Sequence, residues 1–283
     1  VSAQVITPEL RQWIVEQAQA GHKPEQVLAA MRTSGWDEAV AIKALEDTLE
    51  LHLEEQARAT GLPLPKSVPE PDLDSSRPVL LAADREVKVL MALKHPRVVV
   101  FGGLLSDQEC DEIMALADAR LARSETVATA SDGSEVNAAR TSDGMFFERG
   151  EHAVIKRLEA RIAALLEWPV ENGEGLQILR YRPGAEYQPH YDYFEPEHVG
   201  TPSILKRGGQ RVGTLVMYLN TPDAGGATVF PDIKLEVMPV KGNAVFFSYD
   251  RPHPMTLTLH GGAPVVEGEK WVATKWLREG RFD

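Results

Sequence analysis

One cysteine, Cys110, stands in 283 residues. A chain with a single thiol has no internal disulfide framework and no multi-cysteine zinc site. Long apolar runs are also missing, and nothing approaches the roughly 20 residues that cross a bilayer as a helix. Basic charge is scarce: 30 Lys and Arg face 42 Asp and Glu, a formal charge of -12. Such a surface repels phosphate backbones and anionic headgroups, so nucleic acid and membrane are excluded as expected partners. The first residues carry no basic stretch followed by an apolar one, so no secretory signal is expected. These absences together predict a cytoplasmic protein of a reducing compartment. No internal repeat is present. What is present, 43% hydrophobic and 25% charged residues, is enough for packed domains.

The first sixty residues read as helix. Thr7-Pro8-Glu9 offers an N-cap, a proline at the first helical position and an early acid. Leu10, Trp13, Ile14, Gln17 and Ala18 keep a helical spacing until Gly21. Pro24 opens a second short helix, and Asp37 caps a third with Val40, Ala41, Ala44, Leu45, Thr48, Leu49 and Leu51 on one stripe. The expectation is a three-helix bundle over 1–60. Its Gly35-Trp36 turn, followed by Asp37-Glu38-Ala39-Val40 and Ala44-Leu45, resembles ubiquitin-associated (UBA-like) domains, which implies a protein partner recruited through the bundle; the other reading is a packing or dimerisation appendage. Residues 61–78 hold five prolines and few large apolar groups, the composition of a semi-rigid linker. A catalytic domain over 79–283 is expected to follow.

That domain starts with strand-like Val87–Leu90 and Val98–Phe101. Two amphipathic helices come next, from about Ser106 to Leu121 and from Ala153 to Leu166. After Pro169 the pattern changes to short strands between Gly and Pro turns: Gln177–Tyr181, Tyr187–Tyr193, Arg211–Asn220, Lys234–Met238, Asn243–Ser248, Met255–Leu259 and Trp271–Leu277. The predicted class is α+β, a double-stranded β-helix (jelly roll) buttressed by helices and preceded by the bundle.

Within it, Pro189-His190-Tyr191-Asp192 concentrates chemistry. If this stretch is extended, His190 and Asp192 share a face about 7 Å apart. A third ligand from a distant strand would complete a two-histidine, one-carboxylate triad of the non-haem Fe(II) type. His260 and His253 both compete for that place. His260 stands ten residues before Lys270-Trp271, and a lysine among apolar strands needs an anion. A dicarboxylate chelating the metal at one end would offer its other carboxylate to Lys270. Tyr181 or Thr214 would then add a hydroxyl.

The chain resembles the prolyl 4-hydroxylase branch of the Fe(II)/2-oxoglutarate-dependent dioxygenases over roughly 95–280. The segments that carry the likeness are Leu176–Tyr181, Pro189–Phe194, Gly209–Val212 with Met217–Leu219, Gly225–Pro231, Lys241–Phe247, His260–Val265 and Lys270–Trp276. The resemblance implies His190, Asp192 and His260 as iron ligands. It implies Lys270 as partner of the 2-oxoglutarate carboxylate, with Tyr181 and Thr214 assisting. Arg140, Thr141, Ser142 and Trp276 fall on the substrate side. The implied activity is hydroxylation, most naturally of proline in a peptide or protein, with succinate and CO2 as co-products and ascorbate (vitamin C) as reductant. An intact Asp192 favours hydroxylation over halogenation. Two departures stand out: an acidic, lengthened segment after Phe194, and the N-terminal bundle. Other readings are the same chemistry on a free amino acid or metabolite, a cupin-type isomerase, and an idle roll that only recruits partners.

Overall fold

A computed structural model describes residues 4–123 and 141–283 and, by backbone alone, the short strands Thr126–Val127 and Ser134–Glu135. The chain divides into two compact units, Val1–Pro65 and Lys66–Asp283.

The first unit holds helices Pro8–Gln19, Pro24–Thr33 and Glu38–Thr60. The Thr7 hydroxyl accepts from Leu10 N, and the Asp37 carboxylate accepts from Ala39 N and Val40 N. Each cap satisfies amide groups that the first turn leaves without partners. Ile14, Val27, Met31, Ala41, Ala44 and Leu45 form the core, flanked by Trp13 and Trp36.

In the second unit a nine-stranded sheet runs, in spatial order, Val79–Ala82, Arg85–Leu93, Val98–Gly102, Ala244–Ser248, Arg211–Tyr218, Lys270–Arg278, Leu176–Tyr181, Asp143–Phe147 and Ala122–Arg123. A smaller sheet has the order Leu235–Val237, Thr228–Phe230, His260–Gly262, Tyr187–His190. All their pairings are antiparallel. Period-two alternation gives the large sheet two apolar faces. Leu176, Ile178, Leu215, Met217, Phe246 and Ala273 face helices Asp107–Asp118 and Ala153–Leu165, meeting Ile113, Ala117, Ile155, Leu158 and Ile162. On the other face Leu179, Tyr218, Val245, Phe247 and Val272 share a core with Phe230 and Val237 of the small sheet. The sheets therefore pack face to face as a helix-buttressed jelly roll, and the functional pocket opens in that second core.

Several element boundaries differ from the sequence expectation. Tyr187–Tyr193 is a strand only as far as His190, so Asp192 lies beyond the strand end and not on its face. Met255–Leu259 is not a strand: Pro254–Thr256 makes a single 3-10 turn and Leu257 takes φ 54°, so pairing restarts at His260. Val79–Ala82 and Asp143–Phe147 are additional strands.

The proline-rich stretch divides at Pro65. Beyond it the chain lies along the second unit: Lys66 N donates to Asp250 O, Glu70 N to Leu166 O, and the Glu70 carboxylate pairs with Arg97. Pro69 is buried, and Gly213 makes room for it, since a Cβ there would stand 2.6 Å from Pro69 Cγ. Removal of residues 1–65 keeps these contacts and sets the reference melting temperature of the second unit. Removal of 1–78 loses these contacts and is expected to lower it by about 5–10 °C, equivalent to about 2–3 kcal/mol. Differential scanning calorimetry of the two truncations distinguishes a free linker from this packed strap.

Candidate active site

His190 and His260 are direct partners across two antiparallel strands, and their ring centroids lie 4.5 Å apart. Gly261 permits this closeness, because a Cβ there would meet the Tyr187 carbonyl at 2.8 Å. Asp192 joins the pair from just past its strand. Its Oδ1 is 3.4 Å from His190 Nε2 and its Oδ2 is 3.4 Å from His260 Nε2. The three groups offer ligand atoms within 4.8 Å of one another, the one such cluster found among the described residues.

Hydrogen bonds prepare each donor. His190 Nδ1 donates to Gln188 O at 2.9 Å and His260 Nδ1 to Thr258 O at 3.0 Å. A carbonyl only accepts, so both rings carry hydrogen on Nδ1 and turn the Nε2 lone pair to the cluster. Burial pushes the His260 pKa down to about 4, against the pull of Asp192, so the ring is neutral at physiological pH. Burial opposes ionisation of Asp192, yet the imidazoles of His260 and His190 and the Arg211 guanidinium hold its carboxyl far below the usual range. Two imidazole nitrogens and one carboxylate with room beside them fit Fe(II).

Thr214 has a different place from the expected one. Its hydroxyl donates to Asp192 Oδ2 at 2.7 Å and bonds the Tyr249 hydroxyl at 2.8 Å. One hydroxyl has one hydrogen, so Thr214 has none left for a cosubstrate carboxylate; it orients Asp192 instead. His253 stands apart from the cluster, with Nδ1 accepting from Met255 N at 3.1 Å at the start of the 3-10 turn. Cys110 is buried in the helix-side core, where burial pushes its thiol up to about 11, outside nucleophilic use.

The same pocket is lined by Lys270, Val272, Thr274 and Trp276, alternate residues of one strand face, while the intervening Lys275 turns to Glu159 at 2.6 Å. Lys270 is 4% exposed, and among the described residues no carboxylate pairs with it. Burial alone lowers its pKa to about 8. Nearby are the rings of Tyr181, its partner on the adjacent strand, and Tyr218, with centroids 5.6 and 5.8 Å from Nζ. The Tyr218 hydroxyl donates to Thr228 Oγ1 at 2.8 Å, which leaves the Thr228 hydrogen to point into the pocket. An ammonium and a hydroxyl donor facing a cavity fit a carboxylate ligand.

On the substrate side Trp276 lines the pocket, and its Nε1 is buried without a hydrogen-bond partner. Thr141 is held by the chain beside it: its N and Oγ1 donate to Glu186 O, and its Oγ1 accepts from Glu186 N. Ser142 is buried. Neither belongs to the pocket wall, and Arg140 lies outside the described residues. Sequence reasoning missed Thr228, Tyr249, Tyr187 stacked 3.8 Å from the His190 ring, and Glu174 bound to Arg211. Thr228 and Arg211 sit inside segments that carry the family likeness; Tyr249 and Glu174 carry no local signal.

A jelly roll with a two-histidine, one-carboxylate cluster and a buried cation in one pocket defines an iron and 2-oxoglutarate oxygenase class. Comparison with known proteins makes it specific. Residues 176–278 match the 2OG-Fe(II) oxygenase superfamily. Prolyl 4-hydroxylase 5 of Arabidopsis thaliana is 39% identical over 209 residues, covering 66% of this chain and 70% of the relative. Prolyl 4-hydroxylase 2 of the same plant is 37% identical over 219 residues, covering 69% and 72%. The viral collagen prolyl hydroxylase of Paramecium bursaria Chlorella virus-1, solved with 2OG, superposes with a TM-score of 0.50 at 31% identity, over 64% of this chain and 94% of that one. The chain belongs to the prolyl 4-hydroxylase family.

Proposed function

We propose that the protein hydroxylates prolyl residues of a peptide or protein at C4, with Fe(II) and 2-oxoglutarate, ascorbate serving as reductant. The observation that carries this reading is Lys270: a buried ammonium without a carboxylate, in one pocket with the triad and Trp276. His190 Nε2, His260 Nε2 and an oxygen of Asp192 would hold the metal. Lys270 and Thr228 would bind the far carboxylate of 2-oxoglutarate, with Tyr181 packed against the lysine. When bound, iron and cosubstrate supply the oxidising power that breaks an unactivated C–H bond, with release of succinate and CO2.

The protein contributes position and dryness. Thr214 and Tyr249 hold Asp192 in one orientation. Leu179, Val216 and Val272 keep water from the pocket wall. The Trp276 N–H lacks an acceptor, and a peptide carbonyl beside the target ring would supply one. The net charge of -12 favours a neutral or basic peptide over nucleic acid. We assign the N-terminal bundle, with its UBA-like turn, to recruitment and not to chemistry.

The test is succinate release from 2-oxoglutarate with Fe(II) and ascorbate, with and without proline-rich peptides, each weighed by mass spectrometry. The expected result is peptide-stimulated succinate and one oxygen gained on proline. Succinate that no peptide stimulates would move the substrate to a free amino acid or other metabolite. No succinate from iron-loaded protein would overturn the oxygenase reading.

A further inference from the structure

Beside the pocket runs an alternating stack of guanidinium groups and aromatic rings. Arg211 lies 4.0 Å from the Trp276 ring centre and 4.8 Å from that of Phe194. Arg278 stands 4.7 Å from the same Phe194 ring and 5.0 Å from Phe282. Arg207 closes the series 4.4 Å from Phe282. Six side chains thus alternate from the pocket wall to the surface.

Glu174 locks the middle of the stack. It accepts from Arg211 Nε at 2.7 Å and Nη2 at 2.9 Å, and from Arg278 Nε at 2.6 Å. Trp276 itself has no hydrogen bond through its indole nitrogen, so its plane is set by packing against Arg211 and, 6.4 Å away, Phe146. Arg211 also donates to the Asp192 carbonyl at 3.4 Å. The outer end belongs to two other segments. Arg207 lies in the lengthened stretch after Phe194, which is folded on itself by the Thr201 hydroxyl donating to Glu195 O. Phe282 is pinned by its N–H to Glu171 O, and Arg207 Nε donates to Asp283 O.

We propose that Arg278 and Phe282 are positioning residues: through Phe194 and Arg211 they set the attitude of Trp276, and so make peptide fit depend on residues 195–209 and 279–283. An arginine face on an aromatic ring is a planar contact that strengthens on desolvation. A run of such contacts resists tilting of any single plane, because Arg211 and Arg278 each lie between two rings. The kinetic part of this proposal rests on the peptide-substrate reading; the structural part does not.

The experiment labels the full-length protein with 5-fluorotryptophan and assigns the Trp276 fluorine resonance by its loss in Trp276→Phe. Phe282→Ala, Phe282→Leu and Phe282→Tyr are then compared. Arg278, Phe194 and Arg211 stand between Phe282 and Trp276 in the series, so a shift of that resonance reports transmission along the stack. The expected result is a displaced Trp276 resonance in the Ala and Leu variants and its return in the Tyr variant, with the Trp13, Trp36 and Trp271 lines unmoved as evidence of an intact fold. Steady-state assays should show peptide KM raised about three- to tenfold in the Ala and Leu variants, with 2-oxoglutarate KM unchanged. An unmoved Trp276 line in folded Phe282→Ala overturns the proposal. So does a Leu variant equal to wild type, since apolar bulk would then suffice. If the wild-type protein hydroxylates no peptide, the substrate reading fails while the fluorine measurement still decides the stack.

Discussion

Asp192→Ala is expected to abolish both metal binding and turnover, measured by Mn(II) or Fe(II) titration and by succinate release, in a protein that stays folded by circular dichroism. Asp192 is the sole anion of the cluster, and two imidazole nitrogens alone hold a hard divalent ion poorly. Its removal also takes one of the two hydrogen-bond partners of the Thr214 hydroxyl, leaving Tyr249, while Arg211 keeps its pair with Glu174. Thr214→Val tests the support behind the ligand. It keeps the carboxylate but removes the hydrogen bond that orients it, and should weaken metal binding by about ten- to a hundredfold. Thr214→Ser restores the hydroxyl and should recover most of that loss. Equal metal affinity in Asp192→Ala and wild type would remove the triad from the metal site altogether.

Lys270→Met should separate fold from cosubstrate. The variant is expected to lose about a hundredfold or more in 2-oxoglutarate affinity, because a buried charge pair is broken at one partner, while metal affinity holds. In the ligand-free state the same change should stabilise the protein. The ammonium is buried without an anion, and its pKa falls to about 8 from the ordinary lysine value of 10.5. A base whose folded pKa is depressed costs stability fully below the folded pKa, and the cost fades as pH rises to the unfolded pKa. The gain of Lys270→Met should therefore be about 3 kcal/mol below pH 8 and vanish near pH 10.5. Cosubstrate binding by the wild type carries the opposite sign. Above pH 8 the free enzyme must take up a proton to receive the dianion, so 2-oxoglutarate affinity should fall about tenfold per pH unit there. Calorimetric titrations at pH 7, 8 and 9 read this directly, and a flat profile would show that Lys270 does not meet the ligand.

Several of these groups are legible in the amino-acid sequence alone. Thr7-Pro8 and Asp37 announce helix starts because a cap is a local hydrogen bond between residues two or three apart. The Lys270–Trp276 stretch places Lys270, Val272, Thr274 and Trp276 on one face through strand periodicity alone. His190 and Asp192 are close along the chain, so their joint use is visible as a pair. Local geometry is nonetheless misleading in one respect: the strand ends at His190, and Asp192 reaches the cluster from irregular chain.

What the amino-acid sequence determined by itself is the composition of the site and the class of its fold. It encodes the His190–Asp192 pair, alternating strands and two amphipathic helices, all properties of near neighbours in the chain. The tertiary structure decided which groups meet. His260 is chosen over His253 because strand His260–Gly262 pairs with Tyr187–His190, and Gly261 lets the two backbones close up. Thr214 goes to Asp192 and Thr228 to the open pocket because of where two strands of different sheets bring one hydroxyl each. Glu174 reaches Arg211 and Arg278 from 37 and 104 residues away, a pairing no local pattern encodes. Periodicity assigns a face, while a hydrogen-bond partner is fixed within tenths of an ångström by register and sheet packing, and those exist only once the whole chain is folded.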